Sequence, residues 1–146
     1  MLSKNTKETA QIAKIFLNKL LKSKKEKRCA LVVGLSGDLG AGKTVFAKSI
    51  AKHLGVKNKV FSPTFVIMKK YPIKLKGYNF FFHLDAYRLK NEKELINLGW
   101  GEIINNKNHL VFIEWPENVS KAIPSDARFV YISGGNENNH RNFKFK

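Results

Sequence analysis

Apolar residues recur at helical spacing in the first part of the chain. They are Ile12, Ile15, Phe16, Leu17 and Leu20. Because residues three and four apart share one face of an α-helix, the pattern predicts an amphipathic helix over about residues 5–21. Asn5 followed by Glu8 is typical of a capping box, so the helix is expected to begin there.

Two continuous apolar runs, at 29–36 and 109–114, have the length of strands. A strand that is apolar on both faces is typical of the parallel centre of an α/β sheet. Extended segments on either side of Gly77 predict a β-hairpin, and two more segments near the end of the chain predict a further strand pair. The alternation of strands and helices therefore predicts one α/β domain, residues 1–146, whose mixed sheet has a parallel core and antiparallel additions.

Two shorter features interrupt this alternation. The Ser-Pro-Thr segment at 62–64 lies between two extended pieces. Because proline cannot donate to a β-ladder, a loop is predicted there. The segment 91–104 predicts a short helix that is broken near Gly99 and Gly101.

The stretch GDLGAGKT follows the first apolar run and has the spacing G-x-x-x-x-G-K-T. Between a strand and a helix this pattern predicts a phosphate-binding loop, because consecutive backbone N–H groups can converge on phosphate oxygens. Lys43 adds a charge for the β- and γ-phosphates, the Thr44 hydroxyl can ligate Mg²⁺, and the next helix, which is expected to end at Gly55, points its N-terminus at the anion. The expected fold is thus P-loop NTPase-like, with three layers. The predicted nucleotide-binding residues of the loop are Gly37, Asp38, Leu39, Gly40, Ala41, Gly42, Lys43 and Thr44.

Two carboxylates end apolar stretches and could hold Mg²⁺ or orient water. Glu114 ends the cleanest run, where a parallel strand would emerge beside the phosphate loop, and Asp85 ends FFFHL. His83, Asp85 and Tyr87 alternate and so share one face of an extended chain, and Arg88 could stabilise the charge that develops in phosphoryl transfer. A strand-end turn residue is the alternative for Asp85, and a hydrogen-bonded structural histidine is the favoured interpretation of His83.

The net charge of +16 is compatible with nucleic-acid binding, since basic side chains neutralise phosphates without reading sequence. However, only four of the 27 basic residues are Arg, and Asn is enriched together with Lys, which is typical of a genome with AT-biased codons. The densest basic run, Lys22 to Arg28, contains no aromatic residue on which bases could stack. A solvated connection is favoured for that run, and direct contact with nucleic acid stays open.

The sequence contains no apolar run long enough to span a bilayer, and its first residues lack the core of a secretory signal. Cys29 is the one cysteine, so it cannot form an internal disulfide, and it is expected to be a small buried core residue. Together these features favour a cytoplasmic protein.

Four motifs occur in a characteristic order, namely GDLGAGKT, SPTF, HLDAYRL and IEWPE. Their combination resembles the TsaE (YjeE) family of small bacterial P-loop ATPases, and the resemblance spans nearly the whole chain. It implies a Mg²⁺-dependent ATPase that takes part in the threonylcarbamoyl-adenosine modification of tRNA, with ATP and Mg²⁺ as cofactors. It also implies TsaB and TsaD homologues as partners, with tRNA reached through that complex.

The same resemblance implies roles for individual residues. Lys43, Asp85 and Glu114 would act in catalysis. Thr44 and Glu114 would hold Mg²⁺, the latter directly or through water. Asp85 would be important for turnover as the acidic residue of its motif.

The remaining positions implied by the resemblance lie around the nucleotide. Thr9 and Arg141 match positions on the adenine side. Thr64 would sense the γ-phosphate, with a local hydroxyl-turn contact as the alternative. Trp115 would lie beside the nucleotide, with a core position as the alternative. The chain departs from the common pattern in its basicity and in Val45, where a second Thr often follows the phosphate loop.

Two other functions stay open at this point. A small-molecule or nucleoside kinase shares the loop and the Mg²⁺ chemistry, but such kinases usually close an Arg-rich lid over the transferred phosphate. The chain has four arginines, at 28, 88, 128 and 141, and no Arg-rich insertion of that length. The second alternative is a nucleotide-gated module that binds tRNA or protein and whose hydrolysis is incidental.

Overall fold

The computed structural model describes residues 1–23, 28–57, 67–135 and 137–146. Its strands are β1 (Leu2–Ser3), β2 (Leu31–Ser36), β3 (Met68–Leu75), β4 (Tyr78–Asp85), β5 (His109–Glu114), β6 (Arg128–Gly134) and β7 (Arg141–Phe145). Its α-helices are α1 (Thr6–Lys22), α2 (Lys43–His53), α3 (Glu92–Asn97) and α4 (Trp100–Ile104), and a 3-10 helix covers Pro116–Ala122. The loop predicted at 62–64, with Thr64, lies outside the described residues.

These strands form one sheet in the order β1-β7-β6-β2-β5-β4-β3. The four central strands, β6, β2, β5 and β4, run parallel, whereas β3, β7 and β1 pair antiparallel with their neighbours. The arrangement confirms the predicted mixed sheet with a parallel core and antiparallel additions. The register places Glu114 of β5 beside Leu35 of β2 and beside Asp85 of β4. The carboxyl ends of these three strands therefore meet at one edge of the sheet.

Helices cover both faces of the sheet. On one face, α1 and α2 pack over a core that includes Phe16, Phe46 and Phe112. On the other face, α3, α4 and the 3-10 helix enclose Leu95 and Trp100. All six residues of β5 are buried, as expected for a strand that is covered on both sides. The three-layer prediction is confirmed.

Helix α1 begins where its capping pattern predicts. The Asn5 side chain accepts a hydrogen bond from Glu8 N at 2.9 Å, and the Glu8 carboxylate accepts one from Lys4 N at 2.7 Å. The prediction that Ile15 belongs to the apolar face is wrong, because 42% of its side chain is exposed. At about 100° per residue, Ile15 lies roughly 60° outside the arc that starts at Ile12 and faces the sheet.

Other elements follow or correct the predictions. Helix α2 ends before Gly55, the hairpin turns at Gly77, and the predicted short helix is two helices separated at Gly99. Cys29 is only partly buried, so its expected core position is wrong; it precedes β2 at the rim of the sheet. In the part of the chain that the structure describes, no helix has the length and apolarity to cross a membrane.

Strand β1 is the element that the pattern does not predict, since two residues carry no periodicity. It pairs with β7, with Leu2 opposite Asn142 and Ser3 opposite Arg141. The start of α1 is thereby held next to the last strand of the sheet. Because of this pairing, Thr6 near the start of the chain and Arg141 near its end both lie beside Gly40 and Gly42 of the phosphate loop.

Candidate functional site

The loop at residues 37–42 connects β2 to α2, as predicted. Gly42 is the N-cap of α2 and has a φ of 105°, a conformation that favours glycine. No side chain of the described residues caps this N-terminus. The first-turn N–H groups and the helix dipole therefore favour a bound anion.

Gly37 is required by a close approach of two backbones. A Cβ atom built at this position would lie 2.3 Å from the carbonyl oxygen of Ile132 on β6. Any side chain would push the loop away from the sheet. The loop is thus seated against β6 at the point where it leaves β2.

We predict that Gly37→Ala destabilises the protein more than Gly40→Ala. Gly40 has a φ of 79°, but a Cβ atom added there would meet nothing within 4 Å, so alanine is expected to cost only about 1 kcal/mol of backbone strain. At Gly37 the clash is with backbone, and a loss of about 3 kcal/mol in the free energy of unfolding is expected. Chemical denaturation of both variants measures the difference. Equal losses would contradict the close approach.

Lys43 is buried at the first position of α2, with 4% of its side chain exposed. Its ammonium donates to the carbonyl oxygens of Gly37 and Asp38, the latter at 2.8 Å, and lies 4.3 Å from the ring centroid of Trp115. Burial lowers the pKa of Lys43, and nearby carboxylates, Glu114 foremost, partly oppose that shift. The cation is therefore held against the loop, next to the helix N-terminus that would receive phosphate.

Glu114 connects the loop to the centre of the sheet. Its Oε1 accepts a hydrogen bond from the Thr44 hydroxyl at 2.9 Å, and its Oε2 lies 2.6 Å from Nε2 of His83. The side chain is 3% exposed. Thr44 and Glu114, both predicted to hold Mg²⁺, are thus in direct contact. The interpretation of His83 as a hydrogen-bonded histidine also fits, and its partner is the carboxylate of the site.

Asp85 lies opposite Glu114 in the register of β4 and β5, and its side chain is 7% exposed. Its Oδ1 accepts a hydrogen bond from Tyr87 N at 3.0 Å, as a turn residue at a strand end would. The two carboxylates are therefore neighbours at the same sheet edge. A role for Asp85 in turnover stays a prediction.

The residues present fit a Mg²⁺ ion that is bound together with phosphate. Among the described residues, no group of three His, Cys, Asp or Glu side chains could hold a metal ion alone. The Thr44 hydroxyl and the Glu114 carboxylate are hard oxygen ligands, and Mg²⁺ usually takes only one or two protein ligands beside phosphate and water. This donor set fits a Mg²⁺ ion shared with phosphate better than an ion held by protein ligands alone.

A cavity of about 410 Å³ opens beside the phosphate loop. Thr9 of α1 and Arg141 of β7, the two residues predicted on the adenine side, both line it. The Arg141 guanidinium donates to the carbonyl oxygens of Asn138 at 2.9 Å and His140 at 2.8 Å, and it reaches Gly40 O at 3.4 Å. The other lining residues are Asn5, Thr6, Gly40, Gly42, Val45, Asn139 and Phe143.

Trp115 lies beside the loop and is partly buried against the core that contains Leu95 and Trp100. Its φ of 58° is a conformation that residues other than glycine rarely adopt, and its ring lies 5.1 Å from that of Tyr87 and over the Lys43 ammonium. The position of Trp115 beside the nucleotide stays a prediction, and its packing also fits the core alternative. Arg88 is exposed and lies three residues after the end of β4.

Sequence reasoning missed several residues of the site. The Ser36 hydroxyl donates to the Glu117 carboxylate, which links the end of β2 to the 3-10 helix. Asn5 and Phe143 line the cavity although they are far apart in sequence. Glu117 ends the IEWPE motif and Asn5 begins the capping pattern, but neither pattern assigns its residue to the site. The sheet order and the pairing of β1 with β7 are what bring these residues to the loop.

Comparison with known proteins identifies a matching family model and relatives that carry the same family name. The family model described as "Threonylcarbamoyl adenosine biosynthesis protein TsaE" matches residues 3–143. A protein named "tRNA threonylcarbamoyladenosine biosynthesis protein TsaE" from Rickettsia typhi is 40% identical over 112 residues, which cover 76% of this chain and 69% of that protein. The Bacillus subtilis protein of the same name is 37% identical over 101 residues, 69% of this chain and 60% of its own length.

A solved structure resembles the whole fold. The crystal structure of Bacillus subtilis YdiB superposes with a TM-score of 0.73 at 28% sequence identity. The superposition covers 99% of this chain and 82% of that one. The likeness agrees with the P-loop NTPase-like, three-layer fold described above.

Proposed function

The chain belongs to the TsaE family of tRNA threonylcarbamoyladenosine biosynthesis proteins, and on that premise we propose that it binds ATP with Mg²⁺ and hydrolyses it. The observation that carries the proposal is that three features meet at one loop. The N-terminus of α2 has no side-chain cap, the Lys43 ammonium donates to Asp38 O of the loop, and Thr44 contacts Glu114 at 2.9 Å. A nucleoside triphosphate with Mg²⁺ requires a cation, N–H donors and oxygen ligands for the ion, and this edge of the sheet offers all three.

In this proposal the nucleotide lies across the loop. Its phosphates accept hydrogen bonds from the backbone of residues 37–44 and from Lys43, while the cavity lined by Thr9 and Arg141 receives the adenine. Thr44 and Glu114 hold Mg²⁺, which neutralises phosphate charge when bound. Asp85 is the second carboxylate at this edge and is assigned to orient the attacking water.

We further propose that TsaB and TsaD homologues are the partners of this chain, that tRNA is reached through their complex, and that the activity is cytoplasmic. Among the described residues no Arg-rich segment covers the loop, and Arg88 is the one arginine near the carboxylates in sequence. Exclusion of water and neutralisation of transition-state charge are therefore incomplete in the isolated chain. A partner could complete both.

We expect the isolated chain to hydrolyse ATP slowly and its partners to raise the rate by roughly tenfold or more. Steady-state phosphate release is measured for the chain alone, with tRNA, and with TsaB and TsaD homologues. A fast rate that the partners do not change would contradict the proposal. Transfer of phosphate from ATP to a small hydroxyl compound without partners would indicate a kinase.

Trp115 provides a direct signal for nucleotide binding. Because the Lys43 ammonium lies 4.3 Å from its ring, ATP that draws Lys43 toward phosphate is expected to change the Trp115 fluorescence. The second tryptophan, Trp100, is buried on α4 and donates to Ala122 O at 3.0 Å. The change should persist in Trp100→Phe and disappear in Trp115→Phe; the reverse would place the nucleotide elsewhere.

A further inference from the structure

His83 lies in the interior of the sheet on β4, with 0% of its side chain exposed. Its ring is stacked near that of Phe81, with 6.5 Å between the centroids. Its Nε2 lies 2.6 Å from Oε2 of Glu114, the carboxylate that also accepts a hydrogen bond from Thr44. A chain of three side chains, His83 and Glu114 buried and Thr44 partly buried, therefore runs from β4 across β5 to the first turn of α2.

The other nitrogen of the imidazole indicates which atom carries the proton. His83 Nδ1 is buried, and within the described ranges no hydrogen-bond partner lies near it. A proton on Nδ1 would be a buried donor without an acceptor, which folded proteins strongly disfavour. The hydrogen-bond pattern thus assigns the proton to Nε2, which donates to Glu114.

Glu114 consequently has its two oxygens on different partners. Oε2 accepts from His83 and Oε1 accepts from Thr44. A carboxylate that is held at one oxygen by a rigid, packed donor cannot turn freely about its last bond, so the direction of the other oxygen is set. Donors behind a metal ligand orient it in this way in many metal sites.

We propose that His83 is the positioning residue of the Mg²⁺ site: by donating to Oε2 of Glu114 it aims Oε1 at Thr44 and at the ion. The inference rests on the proposed function, because it assumes that Thr44 and Glu114 hold Mg²⁺. His83 acts only through Glu114. A histidine that merely fills the core would leave the Mg²⁺ dependence of nucleotide binding unchanged when it is replaced.

Matched variants separate these two roles. His83→Leu removes the donor, whereas His83→Gln places an amide N–H near the position of Nε2, and His83→Asn places it near Nδ1 instead. The control is His109→Leu, because His109 is also a buried histidine, lies at the opposite end of β5, and hydrogen-bonds through Nδ1 to Ile103 O at 2.8 Å. Thermal unfolding verifies that each variant is folded.

The measured quantity is the affinity of the full chain for ATP with and without Mg²⁺, by calorimetry, together with the Mg²⁺ concentration for half-maximal hydrolysis. We expect His83→Leu to raise the Mg²⁺ requirement roughly tenfold or more while affinity without Mg²⁺ is retained. His83→Gln should restore most of the Mg²⁺ dependence. His109→Leu should lower the melting temperature without shifting the Mg²⁺ requirement.

Three results would overturn the proposal: an unchanged Mg²⁺ requirement in folded His83→Leu, equal impairment of the Gln and Asn variants, or an equal shift in His109→Leu. If His83→Leu does not fold, the Gln and Asn pair decides alone, since retention by Gln and loss by Asn supports the positioning role. An unmodified chain whose ATP affinity does not respond to Mg²⁺ refutes the proposed function and this inference together. If the unmodified chain responds to Mg²⁺ and folded His83→Leu has the same Mg²⁺ requirement, only the inference is refuted.

Discussion

Glu114→Gln is expected to reduce ATP hydrolysis by roughly a hundredfold while changing ATP affinity much less. The substitution keeps the size of a side chain that is 3% exposed, but it removes the negative charge and replaces one acceptor oxygen by a donor. In the unmodified protein Thr44 and His83 each contact one carboxylate oxygen; because an amide nitrogen accepts no hydrogen bond, one of these two contacts is lost in Glu114→Gln. Losing one such transition-state contact commonly costs about 3 kcal/mol. Single-turnover hydrolysis and equilibrium ATP titration separate rate from affinity.

Two further variants control this experiment. Asp85→Asn, at the neighbouring strand end, is expected to impair turnover more than affinity as well, because Asp85 lies opposite Glu114 in the sheet. Glu102→Gln alters an exposed carboxylate on α4 and should leave both quantities unchanged. Near-normal turnover in Glu114→Gln would move the metal role to Asp85.

The central part of the fold could be predicted from the sequence because its physical causes are local. Continuous apolar runs predicted β2 and β5, since only a strand covered on both faces can be apolar throughout. The start of α1 could be located because the capping contact joins Asn5 and Glu8, which are only three residues apart in the chain. Strand β1 escaped prediction because its two residues are ordered by β7, and Ile15 was misplaced because its exposure depends on how α1 rests on the sheet.

The features of the site also divide into those that a local motif identifies and those that depend on how the strands pair. The phosphate loop is a contiguous motif, so its residues could be recognised before the fold was known. The contact between Thr44 and Glu114 depends on β2 and β5 being neighbours, which spacing alone does not determine. The contact of His83 with Glu114 depends in addition on the β4–β5 register. Long-range pairing, rather than residue type, is what the sequence left out.

Lys43→Ala is expected to weaken ATP binding by about 2 kcal/mol, or roughly thirtyfold in Kd, whether or not Mg²⁺ is present. Lys43 offers a charge to the phosphates, whereas Thr44 offers only an oxygen to the ion, so Thr44→Ala should impair mainly the Mg²⁺-dependent steps. Lys48→Ala, an exposed lysine on the same helix, is the matched control for a lost positive charge. ATP titrations with and without Mg²⁺ distinguish the three variants.

Measuring the free energy of unfolding of Lys43→Ala tests the simplest alternative, that affinity falls because the protein unfolds. Burial lowers the pKa of Lys43, which means that the folded chain without nucleotide holds this ammonium at a free-energy cost relative to water. Alanine removes that cost together with the hydrogen bonds to Gly37 O and Asp38 O. We therefore expect the free energy of unfolding to stay the same or rise while ATP affinity falls. An unchanged affinity, or a fall that matches a loss of stability, would show that Lys43 supports the loop rather than the phosphates.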